Sequence, residues 1–243
     1  MGSRKIEVLG ICASPRKGNS LYLLEKAFAH ISMLPMGERV STNAVRLGAG
    51  RMSACRACEA CEKTGGECVI KDDFQTLRDQ FERADVVIYS VPVYHLGIPG
   101  QLKCFIDRFG NSQRKKFAVP SPRRLKVMGA ISQGSHLFAG QESAVIFLLQ
   151  HAVLMNCIPV SGDGWESYIA ASGWTRAQKS EDAIRDDYDK GDFDAQVAVK
   201  ACETLAKRCV EMAMIIRAGG EAMKDILRVD PAYGHFLDNL DRG

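Results

Sequence analysis

The run Asp85-Val-Val-Ile-Tyr-Ser-Val91 constrains this chain more than any other segment. It is apolar at almost every position, so a strand built from it has no face to offer water. Such strands belong to parallel sheets covered on both sides by helices. Further apolar runs at Ile6 to Ala13, Val40 to Leu47, Leu125 to Ile131 and Ile158 to Ser161 alternate with stretches of helical periodicity. After the first run, Leu23, Leu24, Ala27, Phe28 and Ile31 share one helical face, with Ser20 placed to cap it. After the second, Phe74, Leu77, Phe81 and Ala84 do the same behind Asp72 or Asp73. Helices are also expected from about Gly100 to Phe109 and from Gln141 to Met155. Five strands alternating with helices predict an α/β fold with a doubly wound five-stranded parallel sheet.

The character changes beyond Gly162. Residues Gly162 to Asp194 are polar, carry both tryptophans (Trp165 and Trp174) and read as a loop. A helix from Asp194 to about Arg217 follows, with Ala198, Cys202, Leu205, Cys209, Met212 and Ile216 on one stripe. The remainder reads as a tail. The expected division is a sheet domain over 1–162 and an extension over 163–243, packed on the same domain or on a neighbouring subunit. Pro120, Pro122, Arg123 and Arg124 read as an exposed connection.

Composition excludes several classes. Hydrophobic residues make up 46% and charged residues 25%, which is incompatible with global disorder. The net charge of +3 is too small to indicate a nucleic-acid partner. No apolar run reaches the roughly 20 residues of a membrane span, and the first residues lack the apolar segment of a signal peptide. The chain therefore reads as cytoplasmic, without membrane or nucleic-acid partners. Its anomaly is cysteine: nine in all, four of them between Cys55 and Cys68. In a reducing compartment such a cluster points to metal or redox chemistry rather than disulfides. Cys12, Cys104, Cys157, Cys202 and Cys209 lie in apolar stretches and read as small buried hydrophobes.

In open α/β sheets, ligands bind beyond the carboxyl ends of the strands. Three loops are expected there: Ser14 to Ser20, Pro92 to Gly97 and Ser132 to Gly140. The first opens a helix, so its backbone N–H groups and the helix dipole favour an anion, with Ser14, Arg16, Asn19 and Ser20 as further donors. It is neither a Walker loop nor a dinucleotide fingerprint.

The run Gly10-Ile-Cys-Ala-Ser-Pro-Arg-Lys-Gly-Asn-Ser20 resembles the FMN phosphate loop of the NAD(P)H-dependent FMN reductase family, within the flavodoxin-like fold. The run from Ser90 to Arg108 resembles that family's second flavin loop and following helix, and Gly140-Gln141-Glu142 its third loop. The resemblance implies FMN as cofactor, with its phosphate on Ser14, Arg16, Gly18, Asn19 and Ser20. It implies that the isoalloxazine runs beside Pro92, Val93, Tyr94, His95, Leu96 and Gly97, with Ser132, Gln133 and Gly134 at the remaining edge.

Cys55-x2-Cys58-x2-Cys61-x6-Cys68 places three thiols in one tight loop, and Gly65-Gly66 lets the chain turn back to bring a fourth. That suits a [4Fe–4S] cluster better than zinc, whose motifs usually pair two hooks across a longer insert. It resembles the compact motif of the iron–sulfur flavoproteins, although no proline follows the last cysteine as in bacterial ferredoxins. A metal-free loop remains the alternative.

The first resemblance implies hydride transfer from NAD(P)H to FMN and on to a second acceptor. The second implies electrons from a ferredoxin-like donor through the cluster to FMN. The acceptor would be an oxygen species, a quinone or another small molecule. A non-catalytic flavodoxin-like carrier or redox-responsive binding protein is a third reading, which the aromatics Trp165, Tyr168 and Trp174 disfavour if they wall a substrate site. Catalytic residues are not identifiable at this stage. The resemblance also implies a homodimer or homotetramer.

Overall fold

The structure is a computed structural model that describes residues 4–48, 52–117 and 121–242. The chain alternates as expected: β1 (Ile6–Cys12), α1 (Asn19–Met33), β2 (Val40–Arg46), a short α2 (Ala60–Lys63), α3 (Phe74–Arg83), β3 (Val86–Pro92), α4 (Gly100–Lys116), β4 (Val127–Gly134), α5 (Gln141–Leu154) and β5 (Ile158–Pro159). These strands form a parallel sheet in the order β2-β1-β3-β4-β5, the doubly wound flavodoxin-like arrangement.

All seven residues of β3 are buried. Val86 and Ile88 face a layer made by α1 and the C-terminal helix, whereas Val87, Tyr89 and Val91 face α3, α4 and α5. The absence of alternation in residues 85–91 thus reflects two cores, one on each side of the sheet.

The segment after Gly162 is more ordered than a loop. Ala171–Trp174 forms β6, which pairs in parallel with the end of β4 just beyond the stretch that β5 occupies. A helix α6 (Ala183–Asp189) follows. Neither has a strong pattern of its own: β6 is Ala-Ser-Gly-Trp, and the free edge of β4 is what makes it a strand.

The long helix α7 runs from Phe193 to Ala222 and buries Ala198, Cys202, Leu205 and Cys209, while Met212 and Ile216 are half-buried. Asp192 caps it by accepting from the Ala195 N–H at 3.1 Å. The final helices α8 (Lys224–Leu227) and α9 (Gly234–Leu240) fold back, with the Phe236 ring against Gly220.

Two local expectations are corrected. Helix α1 starts at Asn19 without a side-chain cap, so Ser20 lies inside its first turn, and its buried Oγ has no partner. Of the expected exposed connection, Pro120 lies outside the described residues, Arg123 is exposed, and Pro122 and Arg124 are buried. The Arg124 guanidinium lies under the sheet, donating to Gln113 Oε1 (2.6 Å) and the Met155 carbonyl (3.3 Å), 3.5 Å from Glu82 Oε1. Buried Lys126 donates to the Glu82 carbonyl (3.2 Å) and to that of Ala84, and His235 Nε2 stands 3.0 Å from Glu82 Oε2. These cations are stable inside because carbonyls and one carboxylate receive them. Burial would raise the Glu82 carboxyl, but His235, Arg124 and Lys126 outweigh it and hold it down at about 2.

Candidate flavin and cysteine sites

The carboxyl ends of β1, β3 and β4 are adjacent, with Cys12 beside Ser90 and Pro92 beside Gln133. The three loops that leave them therefore meet. In the first, Ser14 is buried and its Oγ accepts the Arg16 N–H at 3.2 Å. Gln101 Nε2 donates to the Ala13 carbonyl (2.8 Å), and Ser90 Oγ to the Ser20 carbonyl (2.6 Å), pinning the loop from the neighbouring strand and helix. The Arg16 side chain is exposed, and no side chain caps the first turn of α1. The loop is pinned by these bonds, leads into an uncapped helix start and carries two exposed cations, Arg16 and Lys17.

The start of the second loop is held to the end of β4, where Ser132, Gln133 and Gly134 lie within the strand, by the Val93 N–H on the Gln133 carbonyl (2.7 Å). Tyr94 and Gly97 exchange backbone hydrogen bonds of 2.9 and 3.0 Å around His95 and Leu96, whose φ values are 46° and 66°. Holding two non-glycine residues in the left-handed region costs about 1–3 kcal/mol each, a strain found where function needs a fixed backbone. Tyr94, His95 and Leu96 present their side chains to solvent. A Cβ on Gly140 (φ 106°) would stand 2.4 Å from Leu96 Cα, so only glycine lets the third loop close on this turn. Ser132 is buried with its Oγ 3.2 Å from Ser172 Oγ, Gln133 Nε2 donates to the Gly134 carbonyl (2.7 Å), and that carbonyl also accepts from the Thr175 N–H (3.1 Å).

The four-cysteine run leaves the same edge of the sheet after β2. Cys55, Cys58, Cys61 and Cys68 all line one cavity of about 120 Å³, rimmed by Arg56, Arg114 and Lys115. Ala57 and Glu59 adopt positive φ (49° and 54°), which winds the run into a tight coil. Gly65 and Gly66 turn left-handed (63° and 93°) and return the chain to Cys68, as their sequence suggests. Two sulfurs receive N–H groups from α4: Cys68 Sγ from Arg108 Nη2 (3.3 Å) and Cys55 Sγ from Asn111 Nδ2 (3.5 Å). Among the described residues, no three His, Cys, Asp or Glu side chains converge closely enough to hold one metal ion. A cubane spreads its four thiolates over four irons, so it asks for a common cavity rather than a single point.

The remaining cysteines are different. Cys12, Cys157, Cys202 and Cys209 are buried and Cys104 is half-buried. Burial pushes the Cys12 and Cys157 thiols up to about 11 and Cys209 to about 12, so they stay protonated and inert.

Residues 6–167 match the family model of the NADPH-dependent FMN reductases. The chain belongs to that family. Among the relatives of this FMN reductase family member, an iron–sulfur flavoprotein of Archaeoglobus fulgidus is 32% identical over 170 residues, 70% of this chain and 83% of that one. The iron–sulfur flavoprotein MJ1083 of Methanocaldococcus jannaschii is 26% identical over 213 residues, 87% of this chain and all of its own length. The solved structure of RosB with a bound riboflavin-phosphate intermediate superposes with a TM-score of 0.63 at 14% identity, covering 92% of this chain and 86% of that one. The last likeness concerns the fold alone. Family membership makes this chain an FMN-dependent oxidoreductase, and no helix among the described residues is long and apolar enough to cross a membrane.

The residues present in the first loop fit a flavin phosphate: Ser20 Oγ is buried without a partner, the helix start has no side-chain cap, and Arg16 is exposed beside it. Sequence reasoning missed what covers this loop. Asn19 commits both ends of its amide to the C-terminal extension, its Oδ1 accepting the Ile184 N–H (2.8 Å) and its Nδ2 donating to the Ser180 carbonyl (3.3 Å). The same strap reaches the third loop, where the Ala177 N–H donates to the Ser135 carbonyl (2.6 Å), and its Glu181 lies 3.9 Å from Arg16 Nε. Most of these bonds use backbone groups, which leave no mark in the sequence. Beside the third loop, clefts of about 360 and 230 Å³ share Gln141, Glu142 and Ser172; Phe138 and Trp174 wall one, and Trp165 and Tyr168 the other.

Proposed function

We propose that this FMN-dependent oxidoreductase exchanges electrons between FMN on the three-loop edge and a [4Fe–4S] cluster held by Cys55, Cys58, Cys61 and Cys68. The observation that carries this reading is the common cavity of the four thiols, with N–H groups already aimed at two of the sulfurs. The names of the relatives agree with it. FMN, when bound, supplies a centre that takes a hydride or releases electrons singly, which matches it to a one-electron neighbour.

In this reading the N–H groups at the start of α1, with Ser14, Gly18 and Ser20, receive the phosphate. Asn19 holds the loop to its strap, and Arg16 leaves Glu181 to add charge. The strained turn Tyr94 to Gly97, backed by Pro92 and Val93, gives the ring a rigid backbone edge, and Ser132, Gln133 and Gly134 close the other side. The aromatic clefts beside Gln141 and Glu142 receive the acceptor, a small organic molecule, a quinone or an oxygen species. A ferredoxin-like protein donates the electrons. The exposed apolar side chains Val153 and Leu154 at the end of α5 supply the contact of a homodimer or homotetramer.

Protein purified without oxygen decides the reading. It should release FMN on heating and contain about four irons and four sulfides per subunit. Alanine at any of the four cysteines should lower the iron and leave FMN bound. FAD in the heated supernatant would refute the flavin assignment, and iron-free protein would refute the cluster. A second reading, an NAD(P)H-driven reductase whose cysteine loop is metal-free, rests on the match to the NADPH-dependent FMN reductase family.

A further inference from the structure

Helix α4 runs from beside the second loop to the cysteine cavity, and the two side chains it aims at the sulfurs, Arg108 and Asn111, do more than mark the cavity. The Arg108 side chain is fully buried. Its Nη1 donates to both oxygens of Asp72 (2.8 and 2.7 Å) and to the Ser53 carbonyl (3.3 Å). Its Nη2 donates to the Ile70 carbonyl (3.0 Å) and to Cys68 Sγ (3.3 Å). The guanidinium also lies over the Phe74 ring, 4.2 Å from its centroid. Ser53 and Ile70 flank the cysteine run on opposite sides, so one guanidinium closes the loop at both ends. Three residues further on, on the same face of the helix, Asn111 reaches the sulfur of Cys55. One helix thus addresses the first and last of the four thiols.

A buried guanidinium is an expensive way to stabilise a core, even with a carboxylate beside it, and here Nε is left buried without a partner. What the arrangement provides is location: a planar fork that can hold two carbonyls, a carboxylate and a sulfur at once, which a lysine cannot do. We infer that Arg108 and Asn111 are positioning residues for the cysteine centre, fixing Cys68 and Cys55 at its two ends and setting its potential through N–H···S bonds. A donor aimed at a ligating sulfur favours the more negative, reduced state, so each bond raises the potential. The potential-setting half rests on the cluster reading; the loop-closing half does not.

Two measurements test the two halves separately. Hydrogen exchange on the protein as purified should show residues 53–70 exchanging at least tenfold faster in Arg108→Lys, with the sheet protected as in wild type. Unchanged exchange in that loop would overturn the positioning role. Asn111 is exposed, so Asn111→Leu preserves the fold. After anaerobic cluster reconstitution it should keep its iron and show a lower potential, by up to a tenfold change in the redox equilibrium, or about 59 mV for one electron. Asn111→Gln should restore most of the shift. A potential identical to wild type in Asn111→Leu would overturn the tuning role. If wild type itself takes up no iron, the cluster reading fails, and the exchange result still decides whether Arg108 closes the loop.

Discussion

Arg16 shows how much one exposed residue can decide. Among the described residues its guanidinium pairs with Glu181 alone, 3.9 Å away and exposed, a contact weak enough to give way to a bound anion. Replacing it with alanine should weaken FMN binding by about 1.5–3 kcal/mol, the usual worth of a hydrogen bond to a charged group. Titration of the apoprotein with FMN, followed by flavin fluorescence, measures this directly; an unchanged Kd would place the phosphate elsewhere. Gly140 acts through space rather than charge. Gly140→Ala would force the third loop off Leu96 and require an alanine at a φ of 106°, so it should cost about 1–3 kcal/mol of stability in a denaturant titration.

At the scale of elements, α5 carries a pH-sensitive contact. His151 is buried on the sheet side, its ring 6.3 Å edge-on from Tyr89. Burial, and then the charge of Arg124, push its imidazole down from 6.5 to about 4. The unfolded chain therefore binds a proton near pH 6.5 while the folded chain still excludes it. The stability that depends on a neutral His151 is fully present above that point and is lost as the pH falls toward about 4. The loss amounts to about 3 kcal/mol from this residue. Urea unfolding between pH 7 and 4 should show it, and His151→Leu should flatten that part of the curve. A slope that survives the substitution would assign the loss to other groups. On the opposite face α7 supplies the packing, and Leu205→Ala should cost about 2–5 kcal/mol, because Leu205 is completely buried between α7 and the sheet.

For the whole molecule the question is the route of the electrons. The phosphate loop after β1 and the cysteine loop after β2 leave the same edge of the sheet from adjacent strands. Under the proposed reading, groups held by the two loops would lie close enough for short-range transfer. Reduced ferredoxin should bleach the flavin quickly in wild type and slowly in Cys58→Ala. NAD(P)H, which delivers a hydride, should be indifferent to that substitution. Stopped-flow absorbance separates the routes, and a fast NAD(P)H reaction with no ferredoxin-driven one would move the chain to the metal-free reading.

The sequence by itself determined the first five strands of the sheet, because buried parallel strands need unbroken apolar runs and the helices between them need a 3.6-residue period. It also determined which four cysteines gather at one cavity, because that depends on residue type at short spacing. Tertiary structure alone decided the rest. Ala171–Trp174 is a strand only because β4 has a free edge. Arg124 is buried only because Glu82 and Gln113 wait beneath the sheet, and Asn19 is tied down only because a strap from 160 residues away lends it backbone groups. Contacts of that kind are made by backbone atoms and distant partners, and local residue patterns carry no record of either.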